Sequence, residues 1–191
     1  MRRQLSLLLV GAMMASPMLA QNATVQPKYP LDVAITYSAA MSNATTTDRF
    51  WMQGGSAQLH GELYRGLGVV AEVSGTHTGS INSSGVGLDI VTATFGPRYT
   101  WSPARSRYSI FGQALVGEAN GFDSVFPTVR GAIDSSNSLA VQAGGGLNLS
   151  LSPRMALRIC EASWMRTQFP NGTTNAQDFL RLGAGVVLRF R

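Results

Sequence analysis

The sequence has 191 residues, of which 13% are charged and 45% hydrophobic, and its formal net charge is +5. Soluble domains usually contain about 25% charged residues, so an ordinary water-soluble globule is disfavoured, and the apolar content excludes a disordered chain. The basic residues are scattered and do not cluster beside stacking aromatic residues, which disfavours a nucleic-acid-binding protein.

The N-terminal segment has the three parts of a secretory signal peptide. Arg2 and Arg3 precede the apolar run 5–14, and Ala20 is a small residue suited to cleavage. That run is too short for a transmembrane helix, and no run of about 18 apolar residues follows it. We therefore predict a signal peptide at 1–20 and a single domain at 21–191.

The remaining sequence is dominated by segments in which apolar and polar residues alternate with a period of two. This period is typical of half-buried strands and not of helices. Eight such segments lie near 30–40, 51–63, 67–77, 88–101, 107–118, 138–151, 155–166 and 178–190. Most soluble strands have about 5–6 residues and a tilted membrane-spanning strand needs about 9–11, so the lengths of these segments favour a membrane.

The connections between the predicted strands alternate in length. Short connections follow the even-numbered strands at 64–66, 102–106 and 152–154. Longer polar connections follow the odd-numbered strands at 41–50, 78–87, 119–137 and 167–177. A barrel with short periplasmic turns and long external loops has this pattern, whereas a Greek-key sandwich does not. The predicted fold class is therefore all-β, an eight-stranded antiparallel up-and-down transmembrane β-barrel.

Aromatic residues near the ends of the predicted strands form two sets. The set beside the short connections and the C-terminus is Tyr64, Tyr99, Trp101, Tyr108 and Phe190. The set beside the long connections is Phe50, Trp51, Trp164, Phe169 and Phe179. Two such sets predict aromatic belts at the two headgroup levels of a bilayer.

Two positions interrupt the strand pattern. Pro97 lacks the N–H that a strand inside a closed barrel needs, so we expect a bulge or kink at Gly96–Pro97. Arg158 and Glu161 differ in parity, so we expect a β-bulge near Ile159–Cys160 that turns both charged side chains inward.

Charged residues within the predicted strands fall mainly on the polar face, which points into the lumen of a barrel. An eight-stranded barrel is just wide enough to be filled by side chains, and an unpaired buried charge is unfavourable. We therefore predict a structural ion-pair network that plugs the lumen, formed by Glu62, Glu72, Arg98, Arg158, Glu161, Arg181 and Arg189. A gated ion or proton path through the same residues is the alternative.

The sequence predicts no catalytic, cofactor-binding or metal-ligating residue. Cys160 is the single cysteine, so neither an internal disulfide nor a cysteine-based zinc site is expected. We expect His60 to be a hydrogen-bonded filler of the lumen and His77 to be solvated beside a long loop.

Five segments carry a resemblance to a known family: TFGPRYT at 94–100, IFGQAL at 110–115, AGGGL at 143–147, LRICEA at 157–162 and LRLGAGVVLRF at 180–190. They resemble the OmpA-like/OmpX-like superfamily of small bacterial outer-membrane β-barrels. The resemblance implies a protein of the bacterial outer membrane that contacts its lipid and lipopolysaccharide. It also implies insertion by the outer-membrane assembly machinery, which reads a last strand ending in an aromatic residue. Here that residue, Phe190, is penultimate.

The expected function is that of a non-enzymatic, monomeric outer-membrane barrel with an envelope-structural or surface-interaction role and no cofactor. An external ligand would bind the loops, of which the longest offers Phe122, Phe126 and Arg130. Two other functions stay open, a narrow pore for small solutes and a lipid A-modifying enzyme. The His-x-Ser arrangement of such enzymes is reproduced neither at 60–62 nor at 77–79.

Overall fold

The computed structural model describes residues 31–42, 49–81, 87–104, 106–124, 126–128, 131–170 and 175–190. The predicted signal peptide at 1–20 lies outside these residues. No helix among the described residues is both long and apolar enough to span a membrane.

Eight long strands form a closed antiparallel barrel among the described residues. They are β1 (Leu31–Ser42), β2 (Phe50–Tyr64), β3 (Leu67–Thr78), β4 (Leu88–Trp101), β5 (Tyr108–Phe122), β8 (Ser136–Ser152), β9 (Met155–Thr167) and β10 (Gln177–Phe190). The short strands β6 (Phe126–Thr128) and β7 (Gly131–Ile133) pair as a hairpin between β5 and β8. The barrel closes where β1 pairs with β10, from Leu31↔Phe190 to Ser42↔Phe179. The predicted fold class is confirmed.

Successive side chains alternate between the outside of the barrel and its interior, as the period of two predicts. On β5 the outward-facing Tyr108, Ile110 and Val116 are 51%, 51% and 43% exposed, whereas the inward-facing Phe111 and Leu115 are buried. The outward side chains of β5 stay apolar over 108–116, a length that matches a tilted membrane-spanning strand of about 9–11 residues.

Toward the ends that carry the long loops, the outward-facing side chains become polar. We call this ring the long-loop rim; it consists of Gln53, His77, Asp89, Glu118, Asn120, Asn137, Arg166 and Asp178. The opposite end of the barrel, with the short connections and both Leu31 and Phe190, is the short-turn end. The apolar band therefore lies between the short-turn end and the long-loop rim.

The aromatic belt predicted at the long-loop end is wrong for three of its five members. Trp51 and Trp164 face outward and are 60% and 41% exposed. Phe50, Phe169 and Phe179 are buried inside the barrel. Alternation explains the error for Phe50, because it is the immediate neighbour of Trp51 and must point the other way. The belt at the short-turn end agrees with the prediction, and all its members are exposed: Tyr64, Tyr99, Trp101, Tyr108 and Phe190.

Of the bulge or kink expected at Gly96–Pro97, the bulge is absent. Between β4 and β5 the register continues unchanged from Phe95↔Val116 to Arg98↔Gln113, and only Gly96 and Pro97 are left out of the pairing. The strands come very close there, since a Cβ on Gly96 would lie 2.1 Å from the Ala114 carbonyl oxygen. Glycine therefore lets the chain pass Pro97 without an inserted residue.

The bulge predicted in β9 is confirmed. The pairing with β8 shifts between Leu147↔Cys160 and Asn148↔Arg158. Ile159 and Cys160 are consequently both exposed on the outside, while Arg158 and Glu161 are both buried inside.

Candidate functional site

The inward-facing side chains form three layers along the barrel. The layer nearest the long loops is apolar, and we call it the apolar plug: Ala40, Phe50, Met52, Leu88, Ile90, Ala119, Phe126, Ala140, Met165, Phe169 and Phe179. The middle layer is the ionic cluster: Gln58, Glu72, Arg98, Gln113, Gln142, Arg158, Glu161 and Arg181. The third layer is a polar cavity at the short-turn end, which we call the vestibule.

Two carboxylates form the negative part of the ionic cluster. Glu72 and Glu161 are almost completely buried. Arg181 Nη2 forms an ion pair with Glu72 Oε1 and lies 3.9 Å from Glu161 Oε1. Arg158 Nη1 donates to Glu161 Oε2 at 2.7 Å. Each carboxylate is thus paired with a guanidinium, as buried charges require.

Gln58 connects the opposite charges of the cluster. Its Oε1 accepts hydrogen bonds from Arg98 Nη2 at 2.5 Å and from Arg158 Nη1 at 2.6 Å. Its Nε2 donates to Glu72 Oε2 at 2.7 Å and to Glu161 Oε1 at 2.8 Å. One neutral, buried amide therefore contacts two cations and two anions.

Arg98 differs from the other arginines of the cluster because its hydrogen-bond acceptors are amides. Its Nε donates to Gln113 Oε1 at 2.9 Å, and its Nη2 donates to Gln58. Among the described residues, Arg98 forms no ion pair with a carboxylate. The Phe111 ring lies 4.5 Å from the guanidinium carbons of both Arg98 and Arg158, so cation–π contacts supplement these bonds.

The structure brings five of the seven predicted network residues together and places two elsewhere. Those together are Glu72, Arg98, Arg158, Glu161 and Arg181. Glu62 Oε1 instead accepts the Gly66 N–H at 2.8 Å, because the tight turn with positive φ at Arg65 and Gly66 directs that N–H back toward it. Arg189 Nη1 donates to Ser150 Oγ at 2.9 Å, and its Nε lies 4.0 Å from Asp32 Oδ1.

Sequence reasoning missed the amides of the cluster. Gln58, Gln113 and Gln142 are buried, and Gln142 Nε2 donates to Glu72 at 3.3 Å. Asn148 Oδ1 accepts from Arg158 Nε at 3.1 Å. The available signal was that these amides occupy inward-facing positions of their strands. Gln113 offered a second signal, because it lies directly opposite Arg98 on the neighbouring strand.

Two residues outside the long strands complete the apolar plug. The Phe126 ring of the β6–β7 hairpin packs against Phe169, with centroids 5.5 Å apart. Gln177 holds the Phe169 backbone, accepting from its N–H and donating to its carbonyl oxygen, each at 2.8 Å. The prediction that Phe126 offers a ligand-binding side chain is therefore wrong, since Phe126 is 6% exposed. Arg130 lies outside the described residues.

The two histidines lie on opposite faces of the wall. His60 is buried in the lumen with Nδ1 3.3 Å from Asp32 Oδ2. His77 belongs to the long-loop rim, and its Nδ1 lies 2.5 Å from Oδ1 of Asp89, the residue opposite on β4. Within the part of the chain that the structure describes, no group of three or more His, Cys, Asp or Glu residues is arranged to hold a metal ion.

Comparison with known proteins identifies the fold. No protein-family model and no curated protein matches the chain. Neisserial surface protein A matches 85% of this chain and 97% of its own, with a TM-score of 0.60 and 12% identity. The attachment invasion locus protein Ail of Yersinia pestis, solved with the heparin analogue sucrose octasulfate, matches 85% of this chain and 99% of its own, with a TM-score of 0.57 and 16% identity. The chain therefore has the fold of the small eight-stranded bacterial outer-membrane β-barrels.

Proposed function

We propose that the protein is a non-enzymatic integral protein of the bacterial outer membrane whose barrel is closed by its own side chains. It stabilises the envelope and displays its long loops at the cell surface. The observation that carries this proposal is the filling of one lumen by two successive layers, the apolar plug and the ionic cluster.

The exterior of the barrel supports the membrane location. Apolar side chains cover the outside between the exposed aromatic belt at the short-turn end and the polar long-loop rim. In barrels of this type the short turns face the periplasm and the long loops face outward. The short-turn end is accordingly the periplasmic end.

A narrow pore is the alternative, and the packing of the lumen disfavours it. Phe179, Met52 and Ile90 of the plug are at most 2% exposed. Directly below the plug, a cavity of about 10 Å³ lies between Phe179 and Arg181, which is room for about one water molecule. A solute moving along the axis would have to displace both layers.

Single-channel recording in planar bilayers tests the closed barrel. The purified protein should insert and give no steady conductance steps, and its heat-modifiable migration on gels should verify that the inserted protein is a folded barrel. Phe179→Ala should also be silent, because the ionic cluster still closes the lumen. Discrete steps from the natural chain would contradict the proposal.

Cys160 offers a direct test of the membrane location. It is the only cysteine of the chain, and it lies exposed on the outward β-bulge of β9. A fluorescent label on Cys160 should be quenched by lipids brominated on their acyl chains. The matched control moves the cysteine to the exposed turn residue Ser102 in a Cys160→Ser background, where these lipids should quench little. Equal quenching at both sites would contradict the position of the apolar band at the level of the acyl chains.

A sulfated ligand like the one bound to Ail is not favoured at the long-loop end of this chain. The described acidic residues there are Asp89, Glu118, Asp123, Asp134 and Asp178, and the described basic residues are Arg49 and Arg166. A mainly acidic surface repels polyanions. The described charges at this end therefore favour a neutral or cationic partner.

Lipid A modification would need the outward-facing pair His77 and Asp89, which lies at the level of the long-loop rim. We expect the pair to stabilise the strand ends only. The lipid A mass spectrum of expressing cells should match that of cells without the protein. A new lipid A species that disappears with His77→Ala would identify an enzyme.

A further inference from the structure

The vestibule has a cationic floor. It is a cavity of about 300 Å³, and its charged lining residues are Asp32, Glu62, Arg98, Arg158 and Arg189. Arg98 and Arg158 are the members of the ionic cluster that line the vestibule, and both are almost completely buried. Its volume lies at the lower end of the range for small-molecule sites, about 300–1,000 Å³.

Two terminal guanidinium nitrogens of this floor, each carrying two N–H groups, have no hydrogen-bond partner among the described residues. The bonds of Arg98 involve Nε and Nη2, and those of Arg158 involve Nε and Nη1. Nη1 of Arg98 and Nη2 of Arg158 make no hydrogen bond with any described residue. Arg98 and Arg158 both line the vestibule, so we infer that these N–H groups face it.

The carboxylates around the vestibule are engaged elsewhere. Asp32 approaches His60 and Arg189, and Glu62 accepts from the backbone of its turn. Within the ionic cluster the three arginines exceed the two glutamates by one charge. The excess falls on Arg98, which donates to amides only. A buried cation of this kind is stabilised by an anion that accepts its remaining hydrogen bonds.

We infer that the vestibule binds a small oxyanion, a carboxylate or a phosphate, which enters from the short-turn end. The oxyanion accepts hydrogen bonds from Nη1 of Arg98 and Nη2 of Arg158. Paired guanidinium groups suit planar carboxylates and phosphates because they offer several donors in a fixed geometry. The site is independent of whether the barrel conducts.

Thermal unfolding of the purified barrel in detergent tests this site with inorganic phosphate and with acetate as separate probes. At equal ionic strength, one of them should raise the melting temperature by several degrees with a saturable dose response, since a ligand that binds only the folded state stabilises it. The probe that acts at the lower concentration identifies the anion class.

Three variants decide where the anion binds. Arg98→Gln should abolish the shift, and it is expected to fold because its removal leaves no carboxylate unpaired. Ser109→Leu, which fills the vestibule from its wall, should abolish the shift without changing any charge. Arg166→Gln, on the outward long-loop rim, should retain it.

The inference is overturned by either of two results. One is a natural chain whose melting temperature responds to ionic strength alone. The other is a shift that persists in Arg98→Gln or in Ser109→Leu, or that disappears in Arg166→Gln, because the anion would then bind at a different site. If Arg98→Gln fails to fold, Ser109→Leu still gives the answer.

Discussion

The apolar plug and the ionic cluster fill the same barrel with opposite chemistry, and they distribute their stability differently. In the plug each side chain contributes by the apolar area it buries, and no side chain there requires one specific partner. In the cluster each group needs the others, because a buried charge without its partner is strongly unfavourable. Gln58 shows this most clearly, since four charged groups depend on one neutral amide.

The two layers also differ in what holds them in place. Every member of the ionic cluster lies on a long strand, so the register of the barrel alone sets its geometry. The plug needs Phe126 from the β6–β7 hairpin and Phe169 beyond the end of β9. The cluster should therefore be rigid together with the barrel, whereas the plug depends partly on loop structure.

The largest effect is expected where the cluster loses a charge. Glu72→Gln should lower the free energy of unfolding by about 3–5 kcal/mol, because Arg181 loses its closest carboxylate inside the lumen. Denaturant unfolding in lipid vesicles measures it. The matched control is Glu118→Gln on the outward long-loop rim, which should change the value by less than about 0.5 kcal/mol. Equal stability of Glu72→Gln and the natural chain would show that the cluster is not a structural network.

A neutral change in the cluster should be nearly as damaging. Gln58→Leu preserves the size of the side chain but removes hydrogen bonds to charged groups, so we expect a loss of about 3 kcal/mol. Gln53→Leu on the same strand is the control, because Gln53 is exposed and bonds only Tyr37 Oη among the charged and polar side chains described. Similar losses in the two variants would contradict the central role of Gln58.

The plug should tolerate a change of the same kind. Phe179→Leu keeps an apolar side chain of similar volume, so we expect a loss of no more than about 1.5 kcal/mol in the same unfolding assay. Comparing its loss of stability with that of Gln58→Leu separates the effect of filled volume from the effect of specific hydrogen-bond partners. If Phe179→Leu lost as much stability as Gln58→Leu, the two layers would not differ in the way described.

The ionic cluster and the apolar plug also differ in how far the sequence predicts them. Strands and faces were predictable because an apolar outer face and a filled, mainly polar lumen impose a strict period of two. The inward position of Glu72 or Arg98 follows from parity and charge. Gln58 was missed because an inward amide looks like any inward Ser or Thr, and only the three-dimensional meeting of β2, β3, β4 and β9 gives it four charged partners.

The plug was missed for a different physical reason. Phe50 and Phe179 lie at strand ends, where outward aromatic belts also lie, so their level along the barrel and their parity point to opposite faces of the wall. Parity would have separated Phe50 from Trp51 and Phe179 from Leu180. Phe126 and Phe169 lie outside the long strands, so no periodicity could assign them to the lumen.

The smallest change in global stability is expected at the outermost part of the plug. Phe126→Ala should lower the free energy of unfolding by less than about 1 kcal/mol, because a loop segment opens locally at a lower free energy than the strands. The same variant should make the β6–β7 hairpin more sensitive to limited proteolysis, since the ring contact with Phe169 anchors it to the barrel. Phe122→Ala, at the partly buried end of β5, is the control and should leave the proteolysis rate of the hairpin unchanged. A hairpin equally resistant in Phe126→Ala and in the natural chain would mean that other contacts hold it, and the plug would then depend on the loops less than its composition indicates.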